Sequence, residues 1–512
     1  MLTNSKIIRI TDFSGGVNIN TPKDMIEDNE LYANIDTYDG TKNVLWTHGG
    51  LYKIGGIQKV NSTEISNSTI INGIRLYKNT TPEMTTIVAA DNGTNVKIYY
   101  LDSSNVFQEI TGGTAIPTGS KIDMTVWKGN LYIATGNTLL QKVEYSSGWT
   151  KSDLSSLSEH PQYVVQHKDR LFVAGGNITQ GQVWATDYEY DNKWYGSGGE
   201  IFNFGVNDGD PITRLISLGD DLIVYKNDSI WYLSGDNITN WFEKVGQKSI
   251  GCVAPFSVAD TPYGHIFLGA DNIYLFTGNS LTPIGYNIKP WLDLIPYAMK
   301  DEAVSVYHDQ YYHIAFAKNG SSVNDFELVL DLRYINEGKL PWWPIDGRVI
   351  GTYIKYDGPN DNNYLYYGSG NSGYLYQTNI GPTNDGANID MEVHTKYFSA
   401  EQPHIDKAYG RLMVDIANNT GDTKLTIKKD IYDSYEKSYT ISTGGETDIW
   451  SSSGAEWGTA SWVGDTSGRY TFELLMPPEF DGKHLALHFE NDDVYEGTAL
   501  YSITLNTKLK GY

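Results

Sequence analysis

The sequence predicts an all-β fold: a β-propeller of about seven blades, with an irregular N-terminal segment before it and an antiparallel β-sandwich after it. Three observations lead there. The 512 residues include 52 Gly, 38 Tyr and 13 Trp; aromatic rings suit half-buried strand faces, and Gly and Asn take the positive-φ positions of tight turns. Short strand–turn–strand units recur through the middle of the chain, and a recurring unit of this size marks a repeat architecture. Beyond residue 385 the strands follow a different rhythm.

The repeat is clearest in two neighbouring units. Asp228-Ser-Ile-Trp-Tyr-Leu-Ser-Gly-Asp236 aligns with Asp271-Asn-Ile-Tyr-Leu-Phe-Thr-Gly-Asn279, and Asp220–Val224 before the first aligns with Gly264–Leu268 before the second. Each reads as a hairpin. Weaker copies lie at Thr86–Ala90, Thr125–Ala134, Val165–Ala174, Ser305–Ile314 and Asn363–Tyr367. Ile87, Leu131, Leu171, Leu222, Ile266, Tyr312 and Leu365 become equivalent, roughly 40 to 53 residues apart, close to the 40 to 50 of a four-stranded blade. Radial repetition leaves only short, protected sheet edges, so much β structure can stay in solution.

The expected domains are an N-terminal docking segment at 1–64, a propeller at 65–384 and a sandwich at 385–512. In the last, Met413–Ile416, Lys424–Lys428, Tyr470–Leu474, Leu485–Phe489 and Leu500–Leu505 alternate apolar and polar residues, as half-buried strands do. Asn379–Asn388, with Gly381, Pro382 and Gly386, reads as the linker. The most helix-like stretch, Ile288–Met299, is kept short by Pro290 and Pro296.

With 40% hydrophobic and 20% charged residues the chain can bury a core. The net charge of −24 argues against general nucleic-acid binding, which needs Lys and Arg to displace counterions. It serves solubility, and it suits a surface that faces DNA without adhering to it. The lone Cys252, near Ile250, Val253 and Phe256, forms no intrachain disulfide and reads as a small buried apolar residue. The first residues lack an apolar signal core and no apolar run reaches membrane length, so synthesis in a cytoplasm without a membrane span is expected.

No catalytic, cofactor-binding or metal-binding residues are assigned, and no cofactor is expected. Gly368-Ser-Gly-Asn-Ser-Gly373 fits a phosphate-loop pattern, but Tyr364–Tyr367 before it and Tyr374–Tyr376 after it make it a hairpin turn rather than a strand-to-helix turn. His484 and His488 have metal-ligand spacing only on a helix. The alternation of Leu485, Leu487 and Phe489 places them on the wet face of a strand, roughly 13 Å apart. His308 and His313, read on one strand, point to opposite faces. The Asp- and Asn-rich loops at Asp91–Asn95, Asn207–Asp210 and Asp357–Asn363 lack the EF-hand pattern and read as turns. Trp184, Trp194, Tyr195, Trp342 and Trp343 are candidates for stacking on sugars, against core packing or interface anchoring. Pro341-Trp-Trp-Pro344 reads as a rigid wedge between strands or subunits.

Asp12-Phe-Ser-Gly-Gly-Val-Asn-Ile-Asn-Thr-Pro22, Asp28–Asn34, and Gly40 through Trp46-Thr-His-Gly-Gly50 resemble the opening of bacteriophage tail nozzle or hub propeller proteins. That group includes tail tubular protein B of T7-like phages and the packaged-DNA stabilisation proteins of P22-like phages. His48 stands where Arg is usual. Phe204–Ile212, Leu222–Lys226, Ile230–Asp236, Ile250–Pro255, and Asp331 ahead of Pro341-Trp-Trp are similar to stretches of the same group, in the same order. The resemblance covers roughly 8–410 and implies a structural, non-enzymatic virion protein. It would be a ring subunit, typically of a homo-hexamer, at the distal end of a short tail. Its partners would be an adaptor ring below the portal, nearby tail fibres or spikes, and genomic DNA passing without sequence-specific binding.

Two other readings belong to different classes. A receptor- or glycan-binding propeller at the tail tip would show an exposed Trp/Tyr cluster. A glycan-cleaving propeller would need a carboxylate pair across one pocket. A sialidase would also need an arginine cluster, whereas the eight arginines run dispersed from Arg9 to Arg469.

Overall fold

The computed structural model describes residues 5–78, 84–236, 239–357, 363–417, 421–442, 469–493 and 498–510. Seven antiparallel sheets follow one another as meanders at 70–109, 123–153, 163–203, 212–248, 259–283, 304–345 and 350–378, here blades 1 to 7. The inner strand of blade 7, Ile350–Asp357, packs against the inner strand of blade 1, Ile70–Lys78, and this closes the ring. All seven positions taken as equivalent from the sequence lie on second strands, each at most 1% exposed.

The propeller has no single centre of apolar packing. Each seam between adjacent blades holds an apolar cluster, and that between blades 5 and 6 is continuous with the core of the sandwich and the N-terminal segment. Blades 1 and 2 meet at Ile87, Ile98, Met124 and Leu131; blades 3 and 4 meet at Phe172, Val183, Leu222 and Val224. The other five seams are filled in the same way. A blade strand is therefore covered on both faces, and Arg170-Leu-Phe-Val-Ala174 is buried throughout. The first hairpins of blades 2, 3 and 6 turn on two residues with positive φ: Lys128-Gly129, Lys168-Asp169 and Asp309-Gln310. That geometry matches the right-handed twist of the flanking strands.

The sandwich comprises two sheets. One runs 391–394, 485–491, 422–429, 436–442; the other contains 407–417, 469–475 and 499–509. All five strands read from the sequence in this zone are present. Residues 5–64 are shared out between neighbours. Ser5–Ile10 and Gly50–Lys53 pair with Ala499–Leu509, Val44–Thr47 pairs with Gly50–Lys53, and Ile57–Lys59 becomes the fourth strand of blade 7.

The linker expectation at 379–388 is corrected. Thr383–Asn384 and Ala387–Asn388 form a small hairpin around Asp385-Gly386, both with positive φ, and it joins the blade 7 sheet beside Ile57. The helical stretch is short as expected: an α-helix at Lys289–Leu294 between 3₁₀ turns at Tyr286–Ile288 and Tyr297–Glu302.

Candidate functional site

Three places in the fold concentrate polar chemistry. The first is a weld between the N-terminal segment, blade 6 and the sandwich. The Gly15-Gly16 turn lies on the outer strand of blade 6, where a β-carbon on Gly16 would stand 2.6 Å from the Trp342 nitrogen. Asp331, fully buried, holds Arg333 through both carboxylate oxygens, and Arg333 donates to the Trp46 carbonyl at 2.6 Å. The Asn43 amide N–H donates to the Pro344 carbonyl, and its side chain donates to the Asp390 carbonyl at 2.7 Å. Trp291 Nε1 donates to the Asn34 carbonyl. Trp342 and Trp343 are fully buried, so the Pro-Trp-Trp-Pro wedge acts inside this chain.

The same weld carries a polar stack. Lys42 bridges Glu392 at 2.8 Å and Asp390 at 3.0 Å, and Glu392 meets His394 at 3.3 Å. Burial opposes ionisation of Glu392, but hydrogen bonds from His394 and Lys42 hold its carboxyl down at about 2. His394 stacks on His488 with ring centroids 3.7 Å apart. Burial first, then the neighbouring His394, Lys428 and Lys23, push His488 down to about 2. The wet-face expectation for His488 is thus corrected: its side chain is buried on the face away from Leu487 and Phe489, against His394 of the next strand and near Lys23 of the N-terminal segment. His484 lies just ahead of that strand, 3.6 Å from Asp430.

The second place is the mouth of the propeller axis, at the end where the inner strands begin. Lys121 precedes blade 2 and Asp301 precedes blade 6. These blades are not neighbours, so the Lys121–Asp301 ion pair at 2.6 Å crosses the opening. Lys121 also meets Glu302 at 3.2 Å. A second crossing pair, Arg214 of blade 4 with Asp123 of blade 2, spans 2.9 Å behind blade 3, whose Val164 amide N–H donates to the same carboxylate. Arg75 of blade 1 is exposed to water but ringed by protein; desolvation lowers its pKa, Asp123 opposes the shift and Arg214 adds to it. Charged pairs thus bridge this end of the axis.

The third is a groove of about 820 Å³ on the opposite face, crossing blades 7, 1 and 2. Blades 1 and 2 contribute Tyr100, Tyr145 and Trp149; blade 7 contributes Tyr356 and Tyr366. Trp149 meets Tyr100 at 5.3 Å and Tyr145 at 5.1 Å, and Tyr356 stacks on Tyr366 at 4.9 Å. Burial first, then Tyr356 and Tyr364, push Tyr366 up to about 12.

The sequence candidates separate accordingly. Gly368 is a packing glycine: a β-carbon there would stand 2.5 Å from Ile71 of blade 1, and the Gly-rich stretch is the expected hairpin turn. His308 and His313 lie on successive strands of blade 6. In the register His308↔Tyr311 and Val306↔His313 they share a face, which corrects the opposite-face expectation, because a two-residue turn falls between them. His313 is tied to buried Glu327 at 2.8 Å, and Glu327 pairs with Arg348 at 3.2 Å. Asp91 accepts from Gly93, Thr118 and Gly119; Asp208 accepts from buried Lys226; Asp210 accepts from Asp228 and Ser229. These are turn contacts, and among the described residues no His/Cys/Asp/Glu group is arranged to hold a metal. The interior of the Asp357–Asn363 loop lies outside the described residues.

Of the sugar-stacking candidates, Trp194, Trp342 and Trp343 are buried, Trp184 is half-buried, and Tyr195 is exposed. The rings that line the groove are different ones, and sequence reasoning missed them. Cys252 is fully buried as expected; burial raises its thiol pKa to about 12.

Among the described residues no helix is long and apolar enough to cross a membrane. No family model matches the chain, and no curated protein matches it. Three solved structures are similar over 63% of this chain. They are the computationally designed Ika8 protein (11% identity, 100% of that chain, TM-score 0.37), a virginiamycin B lyase from Staphylococcus aureus (11%, 99%, 0.42) and the AfRom2 CNH domain (8%, 98%, 0.38). The propeller itself is defined by its seven sheets and the closure of blade 7 on blade 1.

Proposed function

We propose that the chain is a structural subunit of a bacteriophage tail, forming the distal ring, or nozzle, of a short tail as a homo-hexamer in the virion. In this reading the ring docks on the adaptor ring, neighbours tail fibres or spikes, and surrounds or closes the ejection channel without catalysing a reaction. One observation carries it. The motifs that resemble tail nozzle proteins, far apart in sequence, meet at one weld: Gly15-Gly16 on Pro341-Trp342, and Asp331 through Arg333 on Trp46. A weld of this kind suits a subunit that must transmit load as one body.

Ion pairs across the axis limit where DNA could travel. A duplex would pass through the lumen between subunits, with no path along the axis of any one propeller. Six copies at −24 each would surround it with negative charge and weaken adhesion during ejection. Negative-stain electron microscopy of the purified protein, alone and with candidate tail partners, tests the reading. Closed rings with a central channel are expected. Monomers that never join a ring or a tail would overturn it.

A further inference from the structure

The groove across blades 7, 1 and 2 lies on the face away from the ion-paired mouth and takes no part in the weld. Its volume falls among small-ligand clefts, about 300–1,000 Å³. Its chemistry is specific in two ways. Five aromatic rings line it, and the hydroxyls of Tyr100, Tyr145, Tyr356 and Tyr366 make no hydrogen bond within the described protein. Thr85, Ser103, Asn105 and Ser147 add further hydroxyl and amide groups. Among the described residues its carboxylates are those of Asp102, which already accepts from Ser104, Val106 and Gln108, and Glu109, which Lys97 pairs at 2.9 Å from outside the lining; no lysine, arginine or histidine among the described residues is itself in the lining.

An anionic ligand would find only Lys97 nearby, already paired with Glu109, and the chain's overall charge would repel it. A purely apolar ligand would strand the tyrosine hydroxyls without partners. A ligand with flat C–H faces that stack on rings, and a rim of hydroxyls that pair with polar groups, satisfies both sets of residues. We propose that the groove is a binding site for a neutral or amine-bearing oligosaccharide. Trp149 and Tyr145 would stack on the sugar faces, and Asp102 and Asn105 would accept from its hydroxyl or ammonium groups. The same face carries the 186–199 loop of blade 3, which rests on blade 2 through Lys128 to the Tyr188 carbonyl and Tyr132 to Asp191. That loop presents exposed Tyr188, Tyr190 and Tyr195 on the same face. The site stands whether or not the chain forms a tail ring.

The full chain is titrated with chitotriose, maltotriose and trigalacturonate, followed by calorimetry and by saturation-transfer NMR. Saturable binding of a neutral or amino trisaccharide is expected. It should weaken at least ten-fold in Tyr145→Ala and in Trp149→Ala, and trigalacturonate should not compete. Because Trp149 also packs in the seam between blades 1 and 2, Asn105→Ala provides a second variant, and thermal unfolding confirms that each variant is folded. Absence of saturable binding by the neutral and amino sugars, unchanged affinity in folded variants, or preference for trigalacturonate would each overturn the proposal. Retention on the matching immobilised polymer, released by the free trisaccharide, would identify a surface polysaccharide as the source. Trisaccharide binding without retention would identify a free oligosaccharide.

Discussion

The backbone of Gly16 runs so close to that of Trp342 that a β-carbon on Gly16 would stand 2.6 Å from the Trp342 nitrogen and 2.7 Å from the Pro341 Cα. Gly16 also holds a φ of +69°. Two separate costs therefore fall on Gly16→Ala: about 1–2 kcal/mol for the left-handed backbone and about 1–3 kcal/mol for overpacking. Gly49 is its control, with a φ of +72° and nothing within 4 Å of its β-carbon position. Urea unfolding should show Gly16→Ala losing roughly twice as much as Gly49→Ala. Equal losses would mean that the close approach costs nothing.

The Glu327 carboxylate is 1% exposed, with His313 and Arg348 as its partners in the seam between blades 6 and 7. Burial works against its charge, but those two hold it below the ordinary carboxylate range. Arg348→Met leaves that charge without its cation and should cost about 3–5 kcal/mol. Adding Glu327→Gln should recover part of the loss, and a double-mutant cycle reads the coupling directly.

The two pairs that cross the axis should differ in strength. Asp301 has a half-exposed side chain, so Asp301→Asn should change stability by less than about 1 kcal/mol. Asp123 is 6% exposed, and Arg214→Met should cost about 3 kcal/mol by leaving its carboxylate without a counter-charge. Chemical denaturation of the two variants side by side checks the ranking.

Acid should destabilise the fold through histidines buried in the neutral state. Burial first, with Lys168 adding to it, pushes His167 down to about 4; burial pushes His265 to about 4 despite the Ser217 carbonyl; His488 goes to about 2. Below pH 6.5 the unfolded chain binds protons that these side chains refuse in the fold. Stability is therefore complete above 6.5 and falls as pH drops, down to about 4 for His167 and His265 and further for His488. Each contributes a slope on the order of 1.4 kcal/mol per pH unit. The unfolding midpoint, followed from pH 7.5 to 4.5, should fall only below 6.5, and His265→Gln should flatten the slope by one residue's share.

Cys252 offers a reporter. Its thiol is fully buried between blades 4 and 5, donates to the Ala254 carbonyl, and has its pKa raised to about 12 by burial. Alkylation by iodoacetamide at pH 8 should be negligible in the native protein and should appear in step with global unfolding. Prompt labelling of the folded chain would show that this seam opens locally.

The blades were legible because each repeats the same local demand. Leu131, Leu171 and Leu222 occupy the same strand of successive blades, and all are fully buried. The sandwich strands were legible by alternation, since one face of each meets the opposite sheet. The destination of the N-terminal strands was not. Gly50–Lys53 is four residues long, and its Tyr52 finds Tyr501 nearly at the other end of the chain. No periodicity marks so short a strand. The groove was also illegible, because Tyr100, Trp149 and Tyr356 come from three blades, and a ring at a strand end reads like a ring in the core. The hairpin at Asp385-Gly386 could have been read, since Asp-Gly is a strong signal for a two-residue turn.

The strand that completes blade 7, Ile57–Lys59, is translated early, whereas its partner Leu375–Thr378 follows more than 300 residues later. Ser5–Ile10 waits longer still, for Ala499–Leu509. At about 5–20 residues per second the ribosome holds these segments unpaired for tens of seconds. The middle blades can form as they emerge, but blades 1 and 7 cannot lock until residue 378 has left the ribosome, and Ser5–Ile10 cannot pair until residue 508 has. Chains that stop short would therefore carry open β edges, and synthesis of this protein should depend on holding chaperones far more than its finished stability suggests.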